Sequence, residues 1–264
     1  MSLIKSKLLF DSNCHPTVKS TWLNKKNNNS FSELQKSVIK NNLSGALAVG
    51  IDSIDSFNRI QFINECKKYH SLVPIAGFSP HKGEIECNLE DIFNLGYRGI
   101  KIHPRFSKFN LVDGKEDLIR TINICDNLGL VVLLCTYFLD QDGKMILENP
   151  ISYLNEVLKK TDDPKLILMH SGYLDYKNFF KKIISKTNLL FDFSYTIMQP
   201  ELIDDKKTIK SVINNYYERI CIGSDWPEFT HYQLIDRLID LLKGISDDKI
   251  KKIMNYNIRK FFDL

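Results

Sequence analysis

Ionisable and amide side chains recur where short apolar runs of this sequence end. They are Asp11, Asn13, His15, Lys101, His103, His170 and Asp225. Carboxylate and imidazole groups exchange protons near neutral pH, and cationic groups stabilise the negative charge that develops on a carbonyl oxygen. Gathered around one pocket, these groups could activate water for attack on a carbonyl carbon. Each alone also has a structural explanation, such as a helix cap for Asp225 or a hydrogen-bonded ring for His170.

The elements that must position these groups alternate regularly. The predicted strands are Leu8–Asp11, Ala46–Ile51, Leu72–Phe78, Gly99–His103, Leu130–Thr136, Lys165–His170, Asn188–Phe193 and Arg219–Ser224. The predicted helices are Asp55–Tyr69, Lys115–Leu128, Pro150–Lys160, Asp175–Lys186, Glu201–Tyr217, Tyr232–Leu242 and Asp247–Phe262. Strand–helix alternation repeated about eight times predicts the α/β class and a (β/α)8 TIM barrel, a single domain over residues 1–264. A doubly wound sheet, the alternative, would ordinarily carry a glycine-rich phosphate turn that this sequence lacks.

Side-chain direction at the strand ends decides which groups meet in such a barrel. Catalytic groups stand at the carboxyl ends of the strands, and successive strand side chains point to opposite faces. In the fourth strand the isoleucines suit the helix layer, which turns Lys101 and His103 toward the interior. Asp11, Asn13 and His15 share one parity, so they are predicted to converge on one site. The tract from residue 24 to residue 30 predicts a surface loop over the barrel mouth.

The composition of the chain limits the classes of molecule that this protein is expected to bind. The chain is 43% hydrophobic and 26% charged, which excludes a disordered protein, and its net charge of +4 is too mild to indicate nucleic acid or a membrane as partner. The six cysteines are scattered without a Cys-x-x-Cys pair, which favours a reduced, cytoplasmic setting. A small-molecule substrate is therefore expected, and a homo-oligomer stays open.

Three segments resemble the amidohydrolase superfamily, in particular its amidohydrolase-related group of metal-dependent TIM-barrel hydrolases and decarboxylases. The segments are Gly99 to Pro104 (GIKIHP), Leu166 to Gly172 (LILMHSG) and Ile222 to Pro227 (IGSDWP). The tail from Ile253 to Phe261 is similar to the closing helix of that family. The resemblance covers nearly the whole chain, and the order and spacing of the segments make it specific.

The resemblance implies a metal site that this sequence matches in part. In the family, the first strand ends in Asp-x-His-x-His, the fifth and sixth strands each bring a histidine, and the eighth brings an aspartate. Here Asn13 and Cys135 stand in place of two of the histidines. The implied ligands of a divalent metal, Zn²⁺ above all, are His15, Cys135, Asp225 and His170. Some lactonases of this group work without metal, and Cys135 could equally be a small buried hydrophobe.

The expected chemistry is hydrolysis of a lactone, ester or amide. Asp225 is predicted to act as the general base on water, while His170, Lys101 or a metal ion polarises the carbonyl oxygen. The predicted substrate-binding residues are His103, Arg105, Trp226 and Asn13. The positive patch of Lys101, His103 and Arg105 favours an anionic substrate.

Three other interpretations stay open at the level of sequence. A decarboxylase of the same family would use the same strand ends. A barrel that has lost catalysis and binds a ligand or partner would explain Asn13 and Cys135. A TatD-type nuclease, from a sister barrel family, fits less well, because its glutamate after the fourth strand and its first-strand histidine pair are missing here.

Overall fold

Parallel strands form the centre of the molecule. The computed structural model describes residues 8–23, 25–140, 142–183, 186, 188–199 and 205–264. Over these residues one sheet has eight strands: Phe10–Cys14, Gly45–Val49, Leu72–Phe78, Gly99–Ile102, Val131–Cys135, Leu166–Met169, Leu189–Asp192 and Ile220–Cys221. Each strand pairs in parallel with the next one along the chain. The sheet is a nearly closed TIM barrel, which confirms the predicted fold.

The seam between the first and last barrel strands is joined by backbone contacts rather than by a regular ladder. The Ser12 amide donates to the carbonyl of Ile222 at 3.1 Å, and the His15 amide donates to that of Trp226 at 2.7 Å. A Cβ on Gly223 would lie 2.7 Å from the Ser12 hydroxyl oxygen. Only a residue without a side chain allows this close approach, so Gly223 lets the ring close.

Helices cover the outside of the barrel. The principal ones are Phe31–Lys40, Arg59–Cys66, Ile85–Leu95, Lys115–Leu128, Pro150–Lys159, Tyr176–Lys182, Lys206–Tyr216 and His231–Leu241. A last helix runs through Asp247–Lys251, a π-helical turn at Lys252–Tyr256 and Asn257–Phe261. The helices Phe31–Lys40 and Ile85–Leu95 were not predicted. Residues 184, 185 and 201–204 of two predicted helices lie outside the described residues.

Two apolar layers hold these elements together, because strand side chains alternate between faces. Ile100 and Ile102 pack in the outer layer against the helices, as predicted, while Leu133 and Ile167 belong to the inner cluster that fills the barrel. Lys101 lies on the inner face and is 1% exposed, so the barrel holds an amine among apolar side chains. The structure thus places a costly charge where only function or a partner would favour it.

A short antiparallel hairpin, Thr21–Trp22 with Lys25–Lys26, follows the first barrel strand. It occupies part of the tract predicted as a loop, of which residue 24 lies outside the described residues. The Leu23 amide donates to Asp55 Oδ2 at 3.0 Å, and Trp22 Nε1 donates to Glu228 Oε1 at 2.6 Å. These bonds tie the hairpin to loops after the second and eighth strands. Within the described parts of the chain, no helix combines the length and apolarity that crossing a bilayer would require.

Candidate active site

A cavity of about 250 Å³ opens at the carboxyl ends of the strands. It is lined by His15, Trp22, Leu23, Ile51, His103, Arg105, Phe106, Tyr137, His170, Tyr195, Asp225 and Glu228. Side chains from the first, fourth, sixth and eighth strand ends therefore meet in one place, as the sequence analysis predicted for them. The predicted site residues that line the cavity are His15, His103, Arg105, His170 and Asp225.

Asp225 is a buried carboxylate with partners from the first strand. Its backbone has a φ of +61°, in the left-handed region that few non-glycine residues adopt. Asn13 Nδ2 donates to Oδ1, and His15 Nε2 lies 3.3 Å from the same oxygen. Burial acts to raise the pKa of Asp225, but the contact with His15 and the nearby His170 and Lys101 outweigh it and lower the pKa. Asp225 is therefore ionised at neutral pH.

His15 is oriented by a backbone carbonyl. Its Nδ1 lies 2.9 Å from the carbonyl oxygen of Val49, and because a carbonyl only accepts, Nδ1 carries the hydrogen. This directs Nε2 toward Asp225. The ring also stacks on Trp22 with 5.1 Å between centroids, so the hairpin packs directly against the site.

His170 is held neutral. Its Nδ1 lies 3.1 Å from the Ser194 carbonyl oxygen, to which it donates. Burial is the main cause that lowers the pKa of His170 to about 4. A neutral ring whose Nδ1–H is already engaged presents Nε2 as an acceptor. The ring can therefore accept a hydrogen from water, whereas the predicted role of polarising a carbonyl needs a donor that this tautomer lacks.

Asp192 and Ser194 form a buried network that the sequence analysis missed. Ser194 Oγ donates to Asp192 and accepts from Asn13 Nδ2 at 3.2 Å. Asp192 Oδ1 also accepts from the backbone amides of Ser194 at 3.1 Å and His170 at 3.3 Å. Burial raises the pKa of Asp192 to about 6. The available signal was the alternation of Asp192 and Ser194 at the end of the seventh strand, the same pattern that drew attention to the first.

The cationic groups differ in their access to the cavity. Arg105 lines it, its guanidinium carbon lies 5.5 Å from the Tyr137 ring centroid, and its buried Nε finds no hydrogen-bond partner among the described residues. His103 also lines it, and burial together with Lys101 lowers the pKa of His103 well below its usual value, so its ring is neutral. Lys101 Nζ is buried without a described hydrogen-bond partner and lies outside the cavity lining, and burial lowers its pKa. Arg105 is thus a permanent positive charge in the cavity wall.

Two predicted substrate-binding residues have other positions. Trp226 packs in the outer apolar layer and is absent from the cavity wall, where Trp22 supplies the indole instead. Asn13 is wholly buried, and its side-chain amide donates to Asp225 and Ser194, so it positions the carboxylate of Asp225 and does not contact the cavity. Trp226 follows a residue of positive φ, and the alternation of strand side chains does not extend through such a turn.

Aromatic rings that the sequence analysis did not select complete the wall. Trp22, Phe106, Tyr137 and Tyr195 line the cavity. Tyr195 has a φ of +61°, and its ring centroid lies 5.8 Å from those of His170 and Tyr137. The cavity therefore offers flat apolar faces beside the positive charge of Arg105.

Three of the four predicted zinc ligands, His15, His170 and Asp225, line the cavity, and Cys135 does not. Of His15, Cys135, Asp225 and His170, only the pair His15 and Asp225 has a direct contact among the described contacts. Burial raises the pKa of the Cys135 thiol. Among the described residues, the group of three or more ligand-type side chains with atoms mutually within 4.8 Å is Asp11, Cys14 and His231. Among the described residues, the cavity side chains therefore do not form such a group as they stand.

Comparisons with known proteins identify the family of this chain and structures that share its fold. The family model described as Amidohydrolase matches residues 63–264. A structure of a probable 2-pyrone-4,6-dicarboxylic acid hydrolase from Acinetobacter baumannii, with citric acid bound, is similar at 15% identity and a TM-score of 0.70, covering 97% of this chain and 100% of that one. No curated protein matches the chain.

Other solved structures resemble the whole barrel as well. An uncharacterized TIM-barrel protein from Bordetella bronchiseptica has a TM-score of 0.75 at 15% identity, over 97% of this chain and 98% of that one. An amidohydrolase from Burkholderia multivorans with bound zinc has a TM-score of 0.71 at 12% identity, over 97% of this chain and 99% of that one. At these identities the structural likeness establishes the fold alone.

Proposed function

This chain belongs to the amidohydrolase family, and on that premise we propose that it hydrolyses a small anionic lactone, ester or amide with water activated by Asp225. One observation carries the proposal. An ionised carboxylate, held by the Asn13 amide and 3.3 Å from His15 Nε2, lines the same cavity as the positively charged Arg105. Hydrolysis of a carbonyl group in a carboxylated substrate needs a base that activates water and a cation that stabilises negative charge, and this cavity offers both.

In the proposed reaction Asp225 accepts a proton from water as the oxygen attacks the carbonyl carbon. The carbon–oxygen or carbon–nitrogen bond then breaks, and the proton on Asp225 passes to the leaving group. The neutral ring of His170 accepts the second hydrogen bond of the water through Nε2 and orients it. Negative charge on the tetrahedral intermediate is stabilised by Arg105 and by the field of Lys101, which also acts on Asp225 and His170.

The substrate is proposed to carry a carboxylate. Arg105 lines the cavity, its buried Nε has no described hydrogen-bond partner, and guanidinium groups bind carboxylates in a fixed fork. His103 Nδ1 is another buried nitrogen without a described partner. The hydrolase from Acinetobacter baumannii acts, by its name, on a dicarboxylic acid and holds citric acid, both carboxylated molecules. This supports carboxylated lactones as the first compounds to assay.

Divalent metals are common in this family, and the Burkholderia multivorans relative carries zinc. In this chain we propose that Asp225 activates water at the cavity without a metal ligand set. The support is the donor set itself: Asn13 gives an amide hydrogen to Asp225 where a ligand would offer a lone pair, and Cys135 lies outside the cavity lining. Among the described cavity side chains, no three ligand atoms lie mutually within 4.8 Å.

The test is proton release on a panel of lactones and esters, each in carboxylated and neutral form and including 2-pyrone-4,6-dicarboxylate. Wild type is compared with Asp225→Asn and with Asp240→Asn, an exposed aspartate paired with Lys206 that serves as the matched control. Turnover lost only in Asp225→Asn supports the proposal. Carbon dioxide release without proton release would identify a decarboxylase, and binding that Asp225→Asn leaves unchanged, without turnover, would identify a catalytically inactive barrel.

A further inference from the structure

We propose that Asp11, Cys14 and His231 bind a structural zinc ion at the seam where the first and last barrel strands meet. Their ligand atoms lie mutually within 4.8 Å, and all three side chains are wholly buried. None of the three lines the cavity of Asp225. The site is therefore separate from the proposed hydrolytic centre and from the ligand set that the family resemblance implied.

The spacing of the ligand atoms matches the edges of a zinc tetrahedron. Ordinary zinc–nitrogen, zinc–oxygen and zinc–sulfur bonds give a nitrogen–oxygen edge of about 3.4 Å and a nitrogen–sulfur edge of about 3.6 Å. Here His231 Nε2 lies 3.1 Å from Asp11 Oδ2 and 3.7 Å from Cys14 Sγ. These two edges differ from the expected values by about 0.3 Å or less.

The donor set selects the kind of metal. One imidazole nitrogen, one thiolate and one carboxylate oxygen are the ligands of zinc, whereas magnesium and calcium require mostly oxygen. A closed position without solvent access is typical of structural sites rather than of catalytic ones. Ser224 Oγ lies 3.9 Å from Cys14 Sγ and offers an oxygen for the fourth position.

Outer hydrogen bonds already aim the ligands at one point. The backbone amide of Ser224 donates to Asp11 Oδ1 at 3.0 Å and to Oδ2 at 3.1 Å, and the amide of Asn13 donates to Oδ1 at 2.9 Å. The Ser37 hydroxyl lies 2.8 Å from His231 Nδ1 and can accept its hydrogen, which leaves the Nε2 lone pair for the ion. Asp11 and His231 are thus held by groups that do not depend on the metal.

The location gives the ion a structural task. The last strand, Ile220–Cys221, is two residues long, and the first strand has an irregular register between Asp11 and Cys14. His231 is the first residue of the helix that follows the last strand. A zinc ion shared by these residues would clamp the ring where its backbone pairing is weakest. Binding removes the thiol proton of Cys14, so affinity rises with pH.

The test is metal content of the full chain produced with zinc, read by elemental analysis, with matched pairs of variants. Cys14→Ala is compared with Cys135→Ala, and His231→Gln with His15→Gln; each pair removes the same group from the seam and from the cavity. We expect one equivalent of zinc in wild type, Cys135→Ala and His15→Gln, and its loss in Cys14→Ala and His231→Gln. Zinc at about 100-fold over its dissociation constant should raise the Tm of wild type by roughly 5–10 °C over the chelated protein.

Cobalt replaces zinc where the seam variants fail to fold. Wild type loaded with Co²⁺ should show the absorption of a tetrahedral ion with one thiolate, and Cys135→Ala should leave that spectrum unchanged. Absence of stoichiometric zinc from wild type overturns the proposal, since the contact of His231 Nε2 with Asp11 Oδ2 is then only a hydrogen bond. Loss of zinc in His15→Gln with retention in Cys14→Ala also overturns it and places the ion at the cavity.

Discussion

Replacing Asp225 by asparagine tests water activation directly. The amide keeps the size of the carboxylate and an oxygen that can accept from Asn13, so the fold should persist. The base is lost, however, and general-base catalysis contributes about 10²–10⁴ in rate, or about 2.7–5.4 kcal/mol of barrier. We expect kcat to fall by that factor with KM little changed, because Arg105 still binds the substrate. The assay is initial-rate kinetics on the best lactone of the panel.

The pH dependence of wild type supplies the second half of this test. The pKa of Asp225 is lowered, so the base is ionised throughout the neutral range and loses activity only when acid protonates it. With a pKa below the ordinary value of about 3.9, kcat/KM should reach its plateau by about pH 5. An acid limb centred near pH 6 would point to Asp192, whose pKa is about 6. Retention of more than about a tenth of kcat in Asp225→Asn would refute the assigned role.

Three further outcomes follow from the same site. Arg105→Met should raise the KM for carboxylated substrates about 10- to 100-fold, which corresponds to the loss of one charged hydrogen bond. The KM for neutral esters should stay unchanged, and an equal effect on both kinds of substrate would contradict the role of Arg105 in anion binding. Lys101→Met should raise the free energy of unfolding, measured in urea at pH 7, by about 1–3 kcal/mol, because burial lowers the pKa of Lys101 and charging it destabilises the folded state. This gain in stability should shrink toward pH 10, where the lysine is neutral also in the unfolded chain. If the variant is no more stable than wild type, a group that stabilises the Lys101 charge must be present. Because the pKa of Asp192 is raised to about 6, the free energy of unfolding of wild type should fall by about 3 kcal/mol as the pH rises from about 4 to about 6. Asp192→Asn should abolish this pH dependence, and a variant that keeps it would show that another group is responsible.

The barrel could be predicted from the sequence because its strands and most of its helices are marked locally. Leu72–Phe78 and Lys115–Leu128 have their predicted bounds in the structure. The helix predicted from Asp55 begins instead at Arg59, where the Asn58 side chain caps it by accepting from the backbone amide of Gln61. The unpredicted helix Ile85–Leu95 buries apolar residues at helical spacing, so its signal was present in the sequence.

Residue types and their order along the chain also determined which strand ends contribute to the cavity, since the carboxyl ends of parallel strands must meet at one rim. The sequence could not determine where each side chain points once the strand has ended. The register irregularity between Asp11 and Cys14 breaks the parity rule, so Asp11 turns to His231 while Asn13 turns to Asp225.

Only the tertiary structure decided the chemistry of the individual groups. His170 and Asp225 both have positive φ, a conformation that strand alternation does not describe. The tautomer of His170 depends on a carbonyl 24 residues away, and the orientation of Asp225 depends on an amide 212 residues away. Such contacts arise from the closure of the ring, which brings together groups whose separation along the chain carries no information about their distance in space.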